Sequence, residues 1–374
     1  MREDTVLGII FSNMHDDTIG ELTNIRTMGS VPFGGRYRFI DFPLSNMVNS
    51  GITNVGVVTK SNYQSLLDHI GSGREWDLSR KVGGLNILPP FSNTHSGIYR
   101  GRLQALAGIS DYIESHRSQY VLMVDCDIIS NVDYREMIKQ HIASGADITV
   151  MYQKLDMARA DLLDDTTAFG FDSNGRINDV MIGPTVPGTY NIYQNVTVLS
   201  RELLCRIISE TSQRNQISFK KEILQNSFDR FNIQGFENTS VSLNIHSLKS
   251  YFDANMKLLD PMVRSAVFNP QNPIYTKIKD EVPAKYGTSA QVSNSLVADG
   301  CIIDGTVENS IIFRGVKIAK GAVVKNCILM QGTTVNEGCN LNYVISDKDV
   351  TVRENRMLMG FETYPIYISK GSVV

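Results

Sequence analysis

The sequence predicts an α/β domain on a mainly parallel sheet, followed by a parallel β-helix of hexapeptide repeats. Three observations carry that reading. Short apolar runs alternate with amphipathic stretches through the first half of the chain. Pro261, Pro270, Pro273 and Pro283 then punctuate a change of character. Beyond them, branched or long apolar side chains recur every six residues.

The elements follow in order. Val6–Phe11 is an unbroken apolar run, as a strand buried on both faces requires. Residues 43–49 read as a short helix stopped near Gly51, 54–59 as a second strand, and 62–70 as a helix ended by Gly71. Residues 103–115 read as one longer helix, 120–125 as a strand, 133–141 as a helix and 147–152 as another strand. Strand and helix alternating at this spacing make βαβ units around a parallel sheet. In such sheets ligands sit beyond the carboxyl ends of the strands, so the loops after Phe11 and Val124 are the places for chemistry. The predicted organisation is a first domain over 1–260, a linker over 261–290 and the β-helix over 291–374. In that last part Ile312, Ile318, Val324 and Met330 keep the six-residue step, and Val335 and Leu341 resume it after a one-residue slip. Gly315, Gly321, Gly332 and Gly338 share the period and are placed to turn the corners. The period alone fits a coil of either hand. Cys301, Cys327 and Cys339 read as small fillers in or near its interior.

Composition narrows the function. The chain has 374 residues, 42% hydrophobic and 20% charged, which is ordinary for two globular domains. A formal net charge of −3 and the lack of a basic run argue against nucleic acid as a partner. The opening stretch has too short an apolar run for a signal peptide or a membrane span, so a cytoplasmic protein is expected. The five cysteines form no CxxC pair, which speaks against a zinc site or a disulfide framework.

The run from Val31 to Asn46, VPFGGRYRFIDFPLSN, closing with Asn49-Ser50-Gly51-Ile52, closely resembles glucose-1-phosphate adenylyltransferases, the ADP-glucose pyrophosphorylases. Tyr99-Arg100-Gly101, Ala168-Phe169-Gly170 and the segment from Tyr251 to Met256 agree in the same order. The resemblance covers nearly the whole chain. It implies a Rossmann-like nucleotidyltransferase domain, a left-handed parallel β-helix, and a reaction joining ATP and glucose 1-phosphate into ADP-glucose and pyrophosphate. It also implies tetramers under allosteric control in glycogen or starch synthesis.

That reaction needs little covalent help. The protein must hold two anions together and offset charge in the transition state. The family uses a glycine-rich GGxGTRL-type loop, an arginine, lysines, and magnesium between two aspartates. Here the loop after the first strand reads Ser12-Asn13-Met14-His15-Asp16-Asp17-Thr18-Ile19. Its glycines are gone and Thr18 stands where the arginine would be. Asp16 and Asp17 place acidic charge where a polyphosphate should lie, unless a differently shaped loop leaves them in water. A like-charge contact costs about 4 kcal/mol at ~4 Å and an effective dielectric of about 20. The family's RAKP lysine is replaced by Met28, in Arg26-Thr27-Met28-Gly29. Its FVEKP segment corresponds to Val180-Met181-Ile182-Gly183-Pro184, with Gly183 at the lysine. Asp127 matches one metal aspartate, but the second is Asn244; no metal site is expected to survive, though Asp125 offers a substitute ligand. The adenine-binding glutamine is missing from Ile87-Leu88-Pro89-Pro90-Phe91.

Tyr99 and Gly170 match positions that contact glucose phosphate, as vestigial substrate contacts or as a packed aromatic and a tight turn. Arg26, Arg36 and Arg38 are candidates for an anionic effector, against the plainer reading of solvated surface arginines. This loss pattern resembles the regulatory subunit that joins a catalytic paralogue in a heterotetramer, with homo-oligomers when alone. Such a chain needs no cofactor by itself; Mg2+ serves the catalytic partner. An active adenylyltransferase with a remodelled site is the alternative. A scaffold that binds sugar nucleotides without chemistry is a further one. Hexapeptide coils also occur in acyltransferases, but these need a histidine near the coil, and the last one here is His246, upstream of it.

Overall fold

The apolar run Val6–Phe11 forms the strand around which the first domain is built. It pairs in parallel with Asn54–Val58 on one side and Tyr120–Asp125 on the other. Asn54–Val58 pairs in parallel with Gly84–Leu88. Alternate side chains point to opposite faces, so this one strand feeds two cores. Val6 and Ile10 join Phe42, Leu44 and Met47 of the helix Asp41–Asn49. Leu7, Ile9 and Phe11 join Leu103, Leu106, Leu203 and Leu204 on the other face. Gly8 is a glycine because the helix lies so close: a Cβ there would sit 2.6 Å from Met47 Sδ.

This computed structural model describes residues 5–81, 83–90, 99–159 and 162–374. The parallel strands are one half of a nine-stranded mixed sheet. Gly188–Ser200 pairs antiparallel with Tyr120–Asp125, and Ile148–Met157, Thr167–Phe171 and Ile177–Ile182 extend that half. The helix expected over 103–115 is broken at Ile109 into Arg102–Gly108 and Ser110–Ser115. Gly108 ends the first piece, and glycine is a poor interior helix former.

The six-residue period builds what it predicted. Three five-stranded parallel sheets form a left-handed parallel β-helix. Successive coils stack Lys285 on Ile302, Lys317, Thr334 and Thr351. Ile312, Ile318, Val324, Val335 and Leu341 fill the coil with Cys301, Cys327 and Cys339. The cysteines are free thiols. Gly315, Gly321, Gly332 and Gly338 have φ of 68°, 74°, 75° and 67°, and Asn309 and Asn326 share that left-handed region. Met330 departs from its expected place. It belongs to the core of the first domain, with Ile311, Phe313, Ile328 and Ile345, because this coil face packs on Phe33, Phe39, Tyr251 and Phe252.

The stretch expected as a linker, 261–290, is strapped down rather than free. Its first residues form the helix Pro261–Val267, capped by Asp260 with proline in its first turn. Asn131 Nδ2 donates to the carbonyls of Val267 and Asn272. Ser45 Oγ accepts from the Tyr275 N–H at 2.9 Å. The first coil strand begins at Lys285. Among the described residues no helix is long and apolar enough to cross a membrane.

Candidate functional site

A cavity of about 360 Å³ opens beyond the carboxyl ends of the first strand and of Tyr120–Asp125, where an α/β sheet places ligands. His15, Thr18, Asp127, Asn195, Lys220 and Asn244 line it. The short antiparallel pair of Ser242–Asn244 with Ile128–Ser130 sets Asn244 beside Ile128, and Ile245 N donates to the Asp127 carbonyl at 2.8 Å. The fold therefore brings Asp127 and Asn244 into one cleft. Asn244 Oδ1 and Asp127 Oδ1 are buried there without a hydrogen-bond partner.

The loop after Phe11 carries no glycine over residues 12–19. It coils into the 3-10 turn Asp16–Ile19 and the helical turn Gly20–Thr23. The Thr18 N–H, one of the amides a cradle would offer, already donates to the His15 carbonyl at 3.1 Å. Asp16 and Asp17 do not face a polyphosphate together, as the sequence suggested, and neither lines the cavity. Asp16 turns inward and accepts the Met28 N–H at 2.7 Å; burial pushes its carboxyl up to about 7. Asp17 is exposed to water, as is Thr18.

His15 enters the cleft instead. Its Nε2 lies 2.9 Å from Asp125 Oδ2 and 3.5 Å from Asp127 Oδ2. Arg102 makes a short charged contact with the same Asp125 oxygen and lies 5.0 Å from the centre of the Phe11 ring. Burial works against the Asp125 charge, but Arg102 and His15 outweigh it and hold the carboxyl below its usual range. Burial, helped by Asp125, pushes the Asp127 carboxyl up. Burial also opposes charge on His15, yet both carboxylates raise its pKa. Lys220 Nζ closes the far side, 3.6 Å from Asp165 Oδ2. His15, Asp125, Arg102 and Lys220 thus have partners within the chain.

The other expected site residues scatter. Met28, expected at the family's lysine position, is buried core. Gly183 sits in a turn at φ +68°, where a Cβ would meet the Asp164 carbonyl at 2.9 Å; it does not line the cavity. Tyr99 donates to Asn13 Oδ1 at 2.8 Å and is nearly buried. Gly170 lies within the strand Thr167–Phe171, not in a tight turn, and its closeness to Asp179 on the next strand leaves little room for a side chain. Neither lines the cavity. Phe91 lies outside the described residues.

The three arginines part. Arg26 is not at the surface: its guanidinium grips Asp347 of the coil at 2.8 Å to both carboxylate oxygens. Arg36 and Arg38 reach a second cavity of about 180 Å³ between the domains, with Lys277, Lys279, Arg314 and Lys348. Asp68 is the one carboxylate lining it among the described residues. Arg38 Nη1 donates to Ser65 O at 2.6 Å and to Ser65 Oγ at 2.9 Å. Burial, then Arg38 and Arg26, push the Lys348 ammonium down to about 7.

Known proteins agree with this architecture. Residues 20–181 match the nucleotidyl transferase family, and residues 280–363 match the GlmU-like C-terminal hexapeptide family. The chain is 34% identical over 373 residues to the glycogen biosynthesis protein GlgD of Bacillus subtilis (strain 168), covering 100% of this chain and 98% of that protein. It is 35% identical over 320 residues to GlgD of Geobacillus stearothermophilus, covering 85% and 82%. It is 32% identical over 328 residues to the glucose-1-phosphate adenylyltransferase of Thermotoga neapolitana, covering 86% and 76%. The chain belongs to the glucose-1-phosphate adenylyltransferase family.

Catalysis in this family implies magnesium, and the cleft can be tested for it. Magnesium takes an octahedron of oxygens, usually one or two carboxylates with phosphates and waters. This family member presents one carboxylate and one amide, Asp127 and Asn244, with the His15 imidazole against Asp127. Asp125 is held by Arg102. These residues do not fit the family's ion. Sequence reasoning missed His15 and Arg102 as site residues, and Asn195 and Lys220 with them. The one available signal was position: His15 follows the first strand, and Arg102 directly follows the Tyr99-Arg100-Gly101 block.

Proposed function

We propose that this chain is a regulatory, catalytically impaired subunit of glucose-1-phosphate adenylyltransferase in glycogen biosynthesis. One observation carries the reading. Where the glycine-rich loop of a catalytic member holds triphosphate, this chain has a coiled loop whose His15 pairs with Asp125, itself held by Arg102. A triphosphate entering there meets Asp127, with His15 already engaged by both carboxylates and Arg102 by the buried Asp125. Retaining the fold while losing the cradle makes sense if the chain supplies interface and coupling, since an allosteric effect needs only differential contacts in two states. Its partner is then a catalytic paralogue in a heterotetramer, in the cytoplasm, and the chain forms homo-oligomers when alone. Catalytic magnesium belongs to that partner.

The test is mixing. The purified chain is added to the catalytic subunit from the same cell, and pyrophosphate release is followed with and without candidate effectors. Co-elution with a changed rate or effector response is expected. A partner whose rate and response stay as they were would end the regulatory reading.

The cavity between the domains supports an anionic effector on Arg36 and Arg38. Its charge predicts a pH dependence. Lys348 titrates near 7, so it is charged below that pH and neutral above it. Sulfate keeps its charge across this range, so its affinity is expected to fall as pH rises through about 7. Lys348→Met is expected to weaken sulfate at low pH by about 10–100-fold, the worth of one charged hydrogen bond. It should also flatten the pH profile. Calorimetric titration at several pH values checks both.

A further inference from the structure

The cleft that does not suit magnesium has the donors of a different ion. We propose that His15 Nε2 and the carboxylates of Asp125 and Asp127 bind a borderline transition-metal ion of the zinc class, with the cavity supplying its open coordination position. The inference stands apart from the regulatory reading, since it concerns the ligand set and not turnover. It also differs from the family's magnesium in two of its three ligands.

Distances come first. One ligand atom from each of His15, Asp125 and Asp127 falls within a single group spanning no more than 4.8 Å. Zinc bonds of about 2.0–2.2 Å in a tetrahedron separate their ligand atoms by roughly 3.3–3.5 Å. Of the observed separations from His15 Nε2, 3.5 Å matches that edge length and 2.9 Å falls short of it. Little movement is needed for the three to face one ion.

Unmet acceptors come second. Asn195 is 5% exposed, lines the cavity, and has an Oδ1 without a hydrogen-bond partner. Asp125 Oδ1 and Asp127 Oδ1 are buried and unpartnered beside it. A buried acceptor left unmet costs about 1–3 kcal/mol. These Oδ1 atoms stay unmet although His15 and Arg102 engage the Oδ2 atoms, so the group keeps acceptor capacity that a bound cation would use.

The surroundings come third. Metal-binding carboxylates are usually oriented by outer hydrogen bonds. Asn195 Nδ2 donates to Asp127 Oδ2 at 2.6 Å, and Arg102, which occupies Asp125 Oδ2, orients that carboxylate and leaves its Oδ1 as the atom for an ion. Imidazole with carboxylate suits zinc, cobalt or nickel better than magnesium, and three protein ligands plus a vacant position is the open form of a zinc site.

The full chain, stripped with chelator, is titrated with zinc and with cobalt(II), and with magnesium as comparison. One equivalent of zinc per chain and a visible cobalt absorption band of tetrahedral strength are expected, with no saturable magnesium binding in the same range. His15→Gln and Asp127→Asn should each lower zinc affinity by at least the 10–100-fold that losing an outer-shell partner costs. Circular dichroism shows that each variant remains folded. Absence of the cobalt band overturns the proposal. So does zinc affinity that is unchanged in both His15→Gln and Asp127→Asn.

Discussion

Arg26→Ala is expected to lower the unfolding free energy by about 3–5 kcal/mol, the cost of stranding one partner of a buried ion pair. The side chains of Arg26 and Asp347 are 3% and 0% exposed, so water offers no replacement. Asp347 would keep only the Tyr367 hydroxyl, which donates to it at 2.8 Å, and its neighbour's backbone amide. The pair also joins the two domains. Arg26 sits just before Met28, whose N–H holds Asp16 in the cleft loop, while Asp347 precedes Lys348 in the cationic cavity. Loss of the pair should therefore loosen the coil from the first domain as well as destabilise the fold. Urea unfolding followed through the fluorescence of the buried Trp76 measures the loss. In the double variant Arg26→Ala, Asp347→Ala no charge is left stranded, so its cost should fall short of the two single costs added together.

How much of this was readable depended on distance along the chain. The hexapeptide coil was legible because each short strand repeats one inward side chain at a fixed step. Ile312, Ile318 and Val324 report it without reference to anything else. Met330 obeys the step and still packs outward, because period does not say which coil face another domain will cover. Val6–Phe11 was legible for the same local reason. The antiparallel half of the sheet was not, since pairing of Gly188–Ser200 with Tyr120–Asp125 is decided by register across the sheet.

The site followed the same rule. The missing glycines, the retained Asp127 and the Asn244 read in place of a second aspartate were visible in short blocks of sequence. The ion network was not: His15 and Asp125 are 110 positions apart, and Arg26 and Asp347 are 321 apart. An arginine in a polar loop reads as solvated until its partner is known, and Arg26 was misread for that reason. Gly183 looked like a lost lysine, whereas its turn at φ +68° gives a local reason for glycine. Gly170 likewise has a local reason, since it lies within the strand Thr167–Phe171 opposite Asp179.

The second large effect concerns turnover. Loss of one preorganised charge commonly lowers a rate by about 10²–10³. On the proposed reading this cleft lacks the cradle and the loop arginine, has the buried Met28 at the family's lysine, and offers the Asn244 amide for a metal carboxylate. Effects within one site are not additive, so the expected shortfall against a catalytic relative is set conservatively at about 10³-fold or more. Single reversals should not restore the rate. Met28→Lys would bury an ammonium in a packed core. Asn244→Asp would add charge beside Asp127 while His15 still faces Asp127 and Arg102 still holds Asp125.

The decisive measurement is pyrophosphate release by the isolated chain at saturating ATP, glucose 1-phosphate and magnesium. Release no faster than that of the Asp127→Asn variant is predicted, because the cations that would steady the transferring phosphate are bound to the protein's own carboxylates. Robust magnesium-dependent release that Asp127→Asn abolishes would mean that the cleft still works as an enzyme.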